Sequence, residues 1–436
     1  DTYPAKTSRT HTLLEFKTNF ETLAESKTAV TLAGRIMSQR GQGALAFADL
    51  FDGTSKTQLF LKSDEMPADI YKLFVDTTNV GDFVEATGIA YLKKRGEQAL
   101  FVSDWKILAK SIRPLPDAWH GLKDDDERYR RRYLDILLND DVATVVKKRS
   151  VFWNTMRSFL LAQDFVEVET PVLENTTGGA DARPFITHHN ALDMDVFLRI
   201  SAGELWQKKL LVAGIPRTFE IGRIFRNEGM SAEHLQDYTQ LEFYMAYSDY
   251  TQGMEMIKTL YRQIAEKTFG TTTFTIKGFT VDLAATWEMY DFCALIQQHY
   301  EINVLSTNSA EIEKALIAHE IDYDKPTLSV ERGVDLLWKK IRKSLGGPGF
   351  LINVPVYLEP LAKKNRDNSQ TVERFQVILA GSEVGKGFSE LNDPVDQKER
   401  FMAQQALRDA GDDEAQMADM EYVEAMEYGM PPAFGF

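Results

Sequence analysis

Thr218–Tyr247 reads TFEIGRIFRNEGMSAEHLQDYTQLEFYMAY. Apolar and polar residues alternate down to Phe225 and again from Tyr238, with a polar stretch around Gly229 and His234 between them. Two alternating segments about a polar loop predict an antiparallel hairpin. Side chains an even number of residues apart on a strand share a face, so Arg226 with Glu228, and Glu242 with Tyr244, are expected on one side. A fixed guanidinium can grip a phosphate or carboxylate through two parallel hydrogen bonds, and an aromatic such as Tyr238 can stack on a purine. A salt-laced surface hairpin would have the same composition.

Outward from this hairpin, Phe197–Ile200, Gly349–Val354, Arg374–Leu379 and Gly387–Leu391 also read as strands. Val142, Val145, Val146, Phe152, Trp153, Met156, Phe159 and Leu160 recur at helical spacing and predict a long helix leading into a strand closed by Pro171. Residues 284–345 read as a helical insertion. The fold class expected for 124–436 is α+β, a mainly antiparallel sheet flanked by helices. Nearer the start, 28–110 holds five short strands with a helical insert near Pro67–Asp76, the pattern of a small OB-fold barrel. Arg113-Pro114-Leu115-Pro116 marks a linker over 111–123, and 1–27 reads as an N-terminal extension.

The 436 residues are 44% hydrophobic and 26% charged, which suits globular domains rather than disorder, and no apolar run is long enough to span a membrane. The formal net charge of -15 argues at first against nucleic acid. Its distribution reverses that: the first 110 residues hold 14 basic and 14 acidic side chains, so the whole excess lies beyond them. Asp393–Pro432 carries 11 acidic and 3 basic residues, and 409–427 within it reads as a solvated helical face. The single cysteine, Cys293, excludes an intramolecular disulfide and a cysteine zinc site, and points to core packing in a reducing cytoplasm. His188 and His189 are adjacent, so on a strand they point to opposite faces and do not form a metal pair.

The hairpin resembles motif 2 of the class II aminoacyl-tRNA synthetases, in detail that of the lysine-specific members. GRIMSQRGQGALAFADL, RPLPDAWHGLKDDDERYRRRYLDIL, GGADARPFITHHNALDMDVFLRI, YLEPLAKKNRDN and GKGFSELNDPVDQKERF follow the same family in the same order. The resemblance implies an enzyme that activates lysine with ATP and Mg2+ and transfers it to tRNA(Lys), working as a homodimer through Pro171 of motif 1. It implies that Arg226 bridges the ATP α-phosphate and the amino-acid carboxylate. Glu228 would read the adenine amino group, His234 approach the outer phosphates and Tyr238 stack on the base. Gly179, Glu204 and Glu242 match the α-amino site; Glu390, Tyr244 and Phe388 match the pocket for the ε-ammonium and its stem. Glu383 would hold magnesium. In the barrel, Arg35, Phe47 and Gln58 match positions that read the anticodon; the lesser alternative makes Phe47 a barrel core residue. Arg128, Arg130, Arg131 and Arg132, with Lys147, Lys148 and Arg149, could touch RNA or form a solvated face.

Four positions depart from the family pattern. Gln376 stands where a magnesium-binding Glu is usual, Lys386 replaces an Asn that helps hold the substrate carboxylate, Glu359 replaces a Ser, and Leu235 an Asn. Motif 3 is expected to begin at Gly435, so its remainder, and both ends generally, are expected to be trimmed. Two other functions share parts of this pattern: a catalytically silent relative that binds RNA or ligand for regulation, and a protein-lysylating paralogue. The barrel argues against the paralogue.

Overall fold

The computed structural model of the chain describes residues 3–94, 96–116, 122–180, 182–229, 234–325, 328–409 and 417–436. The centre of the expected linker, 117–121, and much of the acidic stretch, 410–416, lie outside the described residues. The chain packs as two units, Asp1–Val145 and Val146–Phe436.

In the first unit, α1 (Leu13–Thr18) and α2 (Phe20–Ser26) precede β1 (Val30–Gln42), β2 (Leu45–Phe51), β3 (Lys56–Lys62), α3 (Ala68–Thr77), β4 (Phe83–Leu92) and β5 (Gln98–Ala109). The strands close a barrel in the order β1-β2-β3-β5-β4. Alternation decides which side chains enter it: Ala46, Ala48 and Leu50 of β2, with Leu59 and Leu61 of β3, point in and are buried. Phe47 and Phe60 therefore point out, so Phe47 is not part of the core. The N-terminal extension is more than a tail. Its Thr12 and Glu15 form a reciprocal capping box that starts α1, and Leu13, Phe16, Phe20 and Leu23 join the barrel core. Beyond the barrel lie α4 (Asp125–Arg130), α5 (Arg132–Leu138) and α6 (Asp140–Leu161). Here the arginine cluster has local partners: Arg128 and Arg132 both pair with Asp135, which is fully buried, and Arg130 and Arg131 pair with Asp126 and Glu127.

The second unit continues with β6 (Val166–Glu167), β7 (Leu173–Glu174), β8 (Ile186–His189), β9 (Met194–Leu198), α7 (Glu204–Val212), β10 (Arg217–Phe225), β11 (Asp237–Ala246) and α8 (Tyr250–Phe269). After the small hairpin of β12 (Thr273–Ile276) and β13 (Phe279–Asp282) come β14 (Glu288–Asp291), α9 (Phe292–Tyr300), α10 (Ser309–Ala318) and α11 (Val330–Arg342). The last elements are β15 (Gly349–Ile352), β16 (Arg374–Leu379), β17 (Ser382–Ser389), α12 (Pro394–Asp409), α13 (Met420–Glu427) and β18 (Ala433–Gly435). Eight strands form one sheet, β14-β15-β16-β17-β18-β11-β10-β6, antiparallel except at β14–β15 and β10–β6. The expected hairpin is present as β10 and β11, paired without a slip from Arg217↔Met245 to Phe225↔Asp237.

Two expectations need adjustment. The stretch 284–345 is not wholly helical, because Glu288–Asp291 pairs along β15 as the edge of the sheet; four residues are too few to register as a strand beside three helices. The strand expected to run to Pro171 is only two residues long.

Alternation along the strands gives the sheet two apolar faces. Phe219, Phe243, Phe350, Phe375 and Phe434 pack with Ile257, Leu260 and Ile264 of α8. Tyr244, Leu351 and Phe388 pack with Leu205 of α7, Ile296 of α9, Leu337 of α11 and Tyr422 of α13. Cys293 belongs with this second face: its Sγ donates to the Asn353 carbonyl at 3.1 Å and burial pushes the thiol up to about 12.

The barrel alternation has a direct test. Leu50→Ala should lower the stability of the first unit by about 2–5 kcal/mol, as loss of a fully buried leucine does. Phe47→Ala should cost at most about 1.5 kcal/mol, the scale of a surface ring pair. Urea unfolding followed by circular dichroism measures both, and equal losses would put Phe47 in the core.

Candidate active site

The pocket is built on one row of the large sheet. Phe388 on β17 and Tyr244 on β11 both pair with Gly435 on β18, which lies between them. A Cβ at residue 435 would come within 2.1 Å of Glu390 Oε1 and 2.5 Å of the Tyr244 ring. Glycine therefore lets Glu390 and the Tyr244 ring approach the strand more closely than any side chain would allow, with Phe388 on the neighbouring strand. Two-residue periodicity sets Lys386, Phe388 and Glu390 on one side of the chain, as it does Glu242 and Tyr244.

Glu242 accepts the Ala202 N–H at 2.8 Å and Gln240 Nε2 at 2.9 Å on one oxygen, and the Tyr244 hydroxyl at 3.0 Å on the other. Glu204 is the first residue of α7, buried beside it. Gly179 has φ +86, and a Cβ there would stand 2.7 Å from Ser201 Oγ and 3.2 Å from Glu204 Oε2. Its backbone therefore approaches Glu204 more closely than a side chain would allow. Three carboxylates, Glu204, Glu242 and Glu390, thus meet in a space from which water is largely excluded. Burial raises Glu242 and Glu390 above the usual carboxylate range, with neighbouring negative charge adding to it.

Sequence reasoning did not single out Lys208, which is fully buried in the middle of this group. Its Nζ lies 2.7 Å from Glu204 Oε1 and 2.5 Å from Glu390 Oε2, and 5.3 Å and 5.6 Å from the ring centroids of Phe388 and Tyr244. Burial alone would lower the ammonium, but Glu204 and Glu390 outweigh it and the net shift is upward. The signal in the sequence was the Glu204–Lys208 spacing of four, which on a helix ordinarily means an exposed pair.

Arg226 continues the hairpin, its backbone N–H bonding the Gln236 carbonyl at 2.8 Å. Its Nε donates to the Ile200 carbonyl at 3.3 Å and its guanidinium lies 5.8 Å from the Tyr238 ring. Glu228 follows, half-buried, and His234 is exposed. Across the strands from Glu242 stands Glu220, buried with Arg199 at 2.5 Å and hydrogen-bonded by Thr170, a second buried pair that braces the hairpin from below.

Three of the four departures are linked, Gln376 to Glu359 through Arg374 and Lys386 to Glu359 directly. Arg374 Nε lies 2.9 Å from Glu359 Oε1, Lys386 Nζ 3.2 Å from Glu359 Oε2, and Arg374 also donates to Gln376 Oε1. Burial would raise Glu359, yet Arg374 and Lys386 hold it below the usual range. Glu383 is elsewhere engaged: Trp338 Nε1 donates to it at 2.7 Å and Arg342 lies 3.1 Å away. Toward a magnesium ion the pair offers one carboxylate, Glu383, and one neutral amide, Gln376, and no group of three His, Cys, Asp or Glu side chains placed to hold a metal occurs among the described residues. Leu235 is exposed, and nothing in the structure explains it.

On the barrel, Phe47 stacks on Phe60 with centroids 5.1 Å apart and planes within 10°, and Phe101 and Tyr91 extend the aromatic surface. Gln58 donates to Asp49 at 3.0 Å and accepts from Lys93. Arg35 lies 4.4 Å over the Phe83 ring. Phe47 itself, Gln58 opposite Asp49, and Arg35 opposite Phe51 mark three successive same-face positions of β2. That row is about 13 Å long at strand rise.

Comparison with known proteins matches 124–436 to the family described as tRNA synthetases class II (D, K and N), and 30–114 to an OB-fold nucleic acid binding domain. Similar proteins named lysine–tRNA ligase include that of Roseiflexus castenholzii, 42% identical over 100% of this chain and 89% of its own length. That of Thermosipho africanus is 39% identical over 99% of this chain and 86% of its own, and one from Clostridium perfringens is 43% identical over 99% and 86%. The chain belongs to the class II tRNA synthetases of the D, K and N group and carries their OB-fold domain.

Proposed function

We propose that the chain is a lysine–tRNA ligase, with 28–110 as anticodon-binding domain, 124–436 as catalytic domain, and 1–27 and 111–123 flanking. The observation that carries this reading is the buried carboxylate of Glu390 set among Phe388 and Tyr244, which pair with the two sides of Gly435. A desolvated ammonium needs an anionic partner, and Glu390 stands where an aspartate-specific relative would need cations. The α-ammonium is assigned to Glu204, Glu242 and the Gly179 backbone.

ATP lies along the hairpin, with adenine on Tyr238 and read by Glu228, and the outer phosphates toward His234. Arg226 holds the α-phosphate and the lysine carboxylate together. The carboxylate attacks phosphorus in line, pyrophosphate departs, and the guanidinium balances charge on the equatorial oxygens. The 3′-terminal ribose hydroxyl of tRNA(Lys) then attacks the acyl carbon of lysyl-adenylate, esterifying the lysine and releasing AMP. Positioning and charge stabilisation suffice, with no covalent protein intermediate. Lys386 adds a cation on the carboxylate side, tempered by Glu359. Mg2+ would supply positive charge to the phosphates; of the assigned pair only Glu383 offers it a carboxylate, and phosphate and water oxygens would complete its shell, as is usual for this ion.

The barrel row of Arg35, Phe47 and Gln58 is assigned to the anticodon, read by stacking and hydrogen bonding as single-stranded bases are. The proposed assembly is a homodimer about Pro171, supported by the exposed Val146, Val151, Leu161, Val166, Val172 and Leu173. The proposed compartment is the cytoplasm; no described helix is long and apolar enough to cross a membrane.

ATP–pyrophosphate exchange measured on full-length protein with each of the twenty amino acids should depend on lysine; exchange with aspartate or asparagine, or none, would sink the reading. Glu390→Gln should raise the KM for lysine about ten- to a hundredfold, the worth of one buried charged hydrogen bond, and leave that for ATP nearly unchanged. Phe47→Ala should raise the KM for tRNA about tenfold, as loss of one base–aromatic stack does, without altering lysine-dependent exchange; an unchanged KM would remove Phe47 from the anticodon. Sedimentation equilibrium should return twice the chain mass, and a mass of one chain would refute the dimer.

A further inference from the structure

With Glu204, Glu242 and Glu390 ionised beside the one resident ammonium of Lys208, the buried group carries a net of two negatives, and lysine brings two ammonium groups. We propose that Lys208 is a specificity-determining positioning residue: it sets the pocket's charge to match a diammonium amino acid and holds Glu204 and Glu390 at a fixed separation. This rests on the reading of the chain as a lysine–tRNA ligase.

The geometry supports each part. Lys208 Nζ is shared between one oxygen of Glu204 and one of Glu390, at 2.7 and 2.5 Å. The proposed function assigns those two carboxylates to opposite ends of the substrate, so one internal ammonium links the α-amino and ε-amino ends. Each keeps an oxygen: Glu204 Oε2 lies toward Gly179, and Glu390 Oε1 is buried without a hydrogen-bond partner. A buried acceptor with no partner is costly, and an incoming ammonium satisfies it. The contact of Glu390 Oε2 with Lys208 is an ion pair rather than a well-aligned hydrogen bond, which leaves the carboxylate able to turn toward substrate. Phe388 and Tyr244 already face the Lys208 ammonium, so the site is built for this charge.

Without Lys208, two substrate ammoniums would face three carboxylates, and one excess negative charge would stay buried. The carboxylates would resist ionisation further, since Glu390 and Glu242 are already raised by burial. Around them stand Tyr244 and Tyr422, both kept neutral by burial, and Glu174, which burial raises to about 8. Arg199 is committed to Glu220. None of these replaces the lost cation.

The test uses lysine-dependent ATP–pyrophosphate exchange of the full chain across pH. Lys208→Met should raise the KM for lysine about tenfold or more, leave that for ATP unchanged, and move the acidic limb of kcat/KM for lysine up by about one pH unit, because removing a nearby cation raises the carboxylates. Lys208→Arg keeps the charge but widens the spacing. It should raise the KM for lysine without moving the limb, and it keeps the proposal testable if the methionine variant does not fold. A lower KM for lysine in Lys208→Met would mean that Lys208 competes with substrate and would overturn the proposal, as would an unmoved limb or an arginine variant equal to wild type. These outcomes all require wild-type exchange that depends on lysine. Its absence overturns the functional reading and the role of Lys208 with it.

Discussion

Glu204, Glu242 and Glu390 cannot all be ionised in one dry space unless positive charge is placed among them, and the Lys208 ammonium is what the fold supplies. At close range in a poorly screened interior, like charges repel by several kcal/mol, so the carboxylates constrain every element that carries them. Helix α7 must present Glu204 and Lys208 on adjacent turns. Strand β11 must hold Glu242 beside Tyr244, and the end of β17 must bring Glu390 to the same place. Residue 435 must be glycine, since any side chain would strike Glu390.

The same constraint explains the covering of the pocket's face. Tyr422 of α13 and the aromatic walls exclude water, which strengthens the attraction between the carboxylates and a cation as much as it raises the cost of leaving them unpaired. A pocket of this kind is selective because it is unfavourable when wrongly filled. Neutral side chains would leave Glu390 uncompensated, and anionic ones would add to the repulsion.

The sites outside the pocket follow less demanding rules. The barrel offers a row of aromatic and polar groups along one face of β2, where alternation alone decides which residues point outward. The linked group of Glu359, Arg374, Gln376 and Lys386 shows that positions which looked like separate departures compensate one another, because the cation at 386 has its anion at 359. The arginines of 128–132, which by sequence could touch RNA or form a solvated face, have local partners in the buried Asp135 and neighbouring acids.

Local information was enough for the elements whose side chains alternate or repeat on their own. Five barrel strands, the β10–β11 hairpin, the long helix and the mainly antiparallel sheet were legible because apolar residues at every second, or every third and fourth, position are written in consecutive residues. The short edge strand at Glu288–Asp291 was not, since its partner β15 is some sixty residues away. Nor was Lys208: from sequence, four residues after Glu204 on a helix, it is indistinguishable from a solvated ion pair. Only tertiary packing brings Glu390, Phe388 and Tyr244 around it and removes the water. Residue types and their spacing were thus set along the chain, whereas the charge state and meaning of the pocket depended on segments distant in sequence sharing one low-dielectric space.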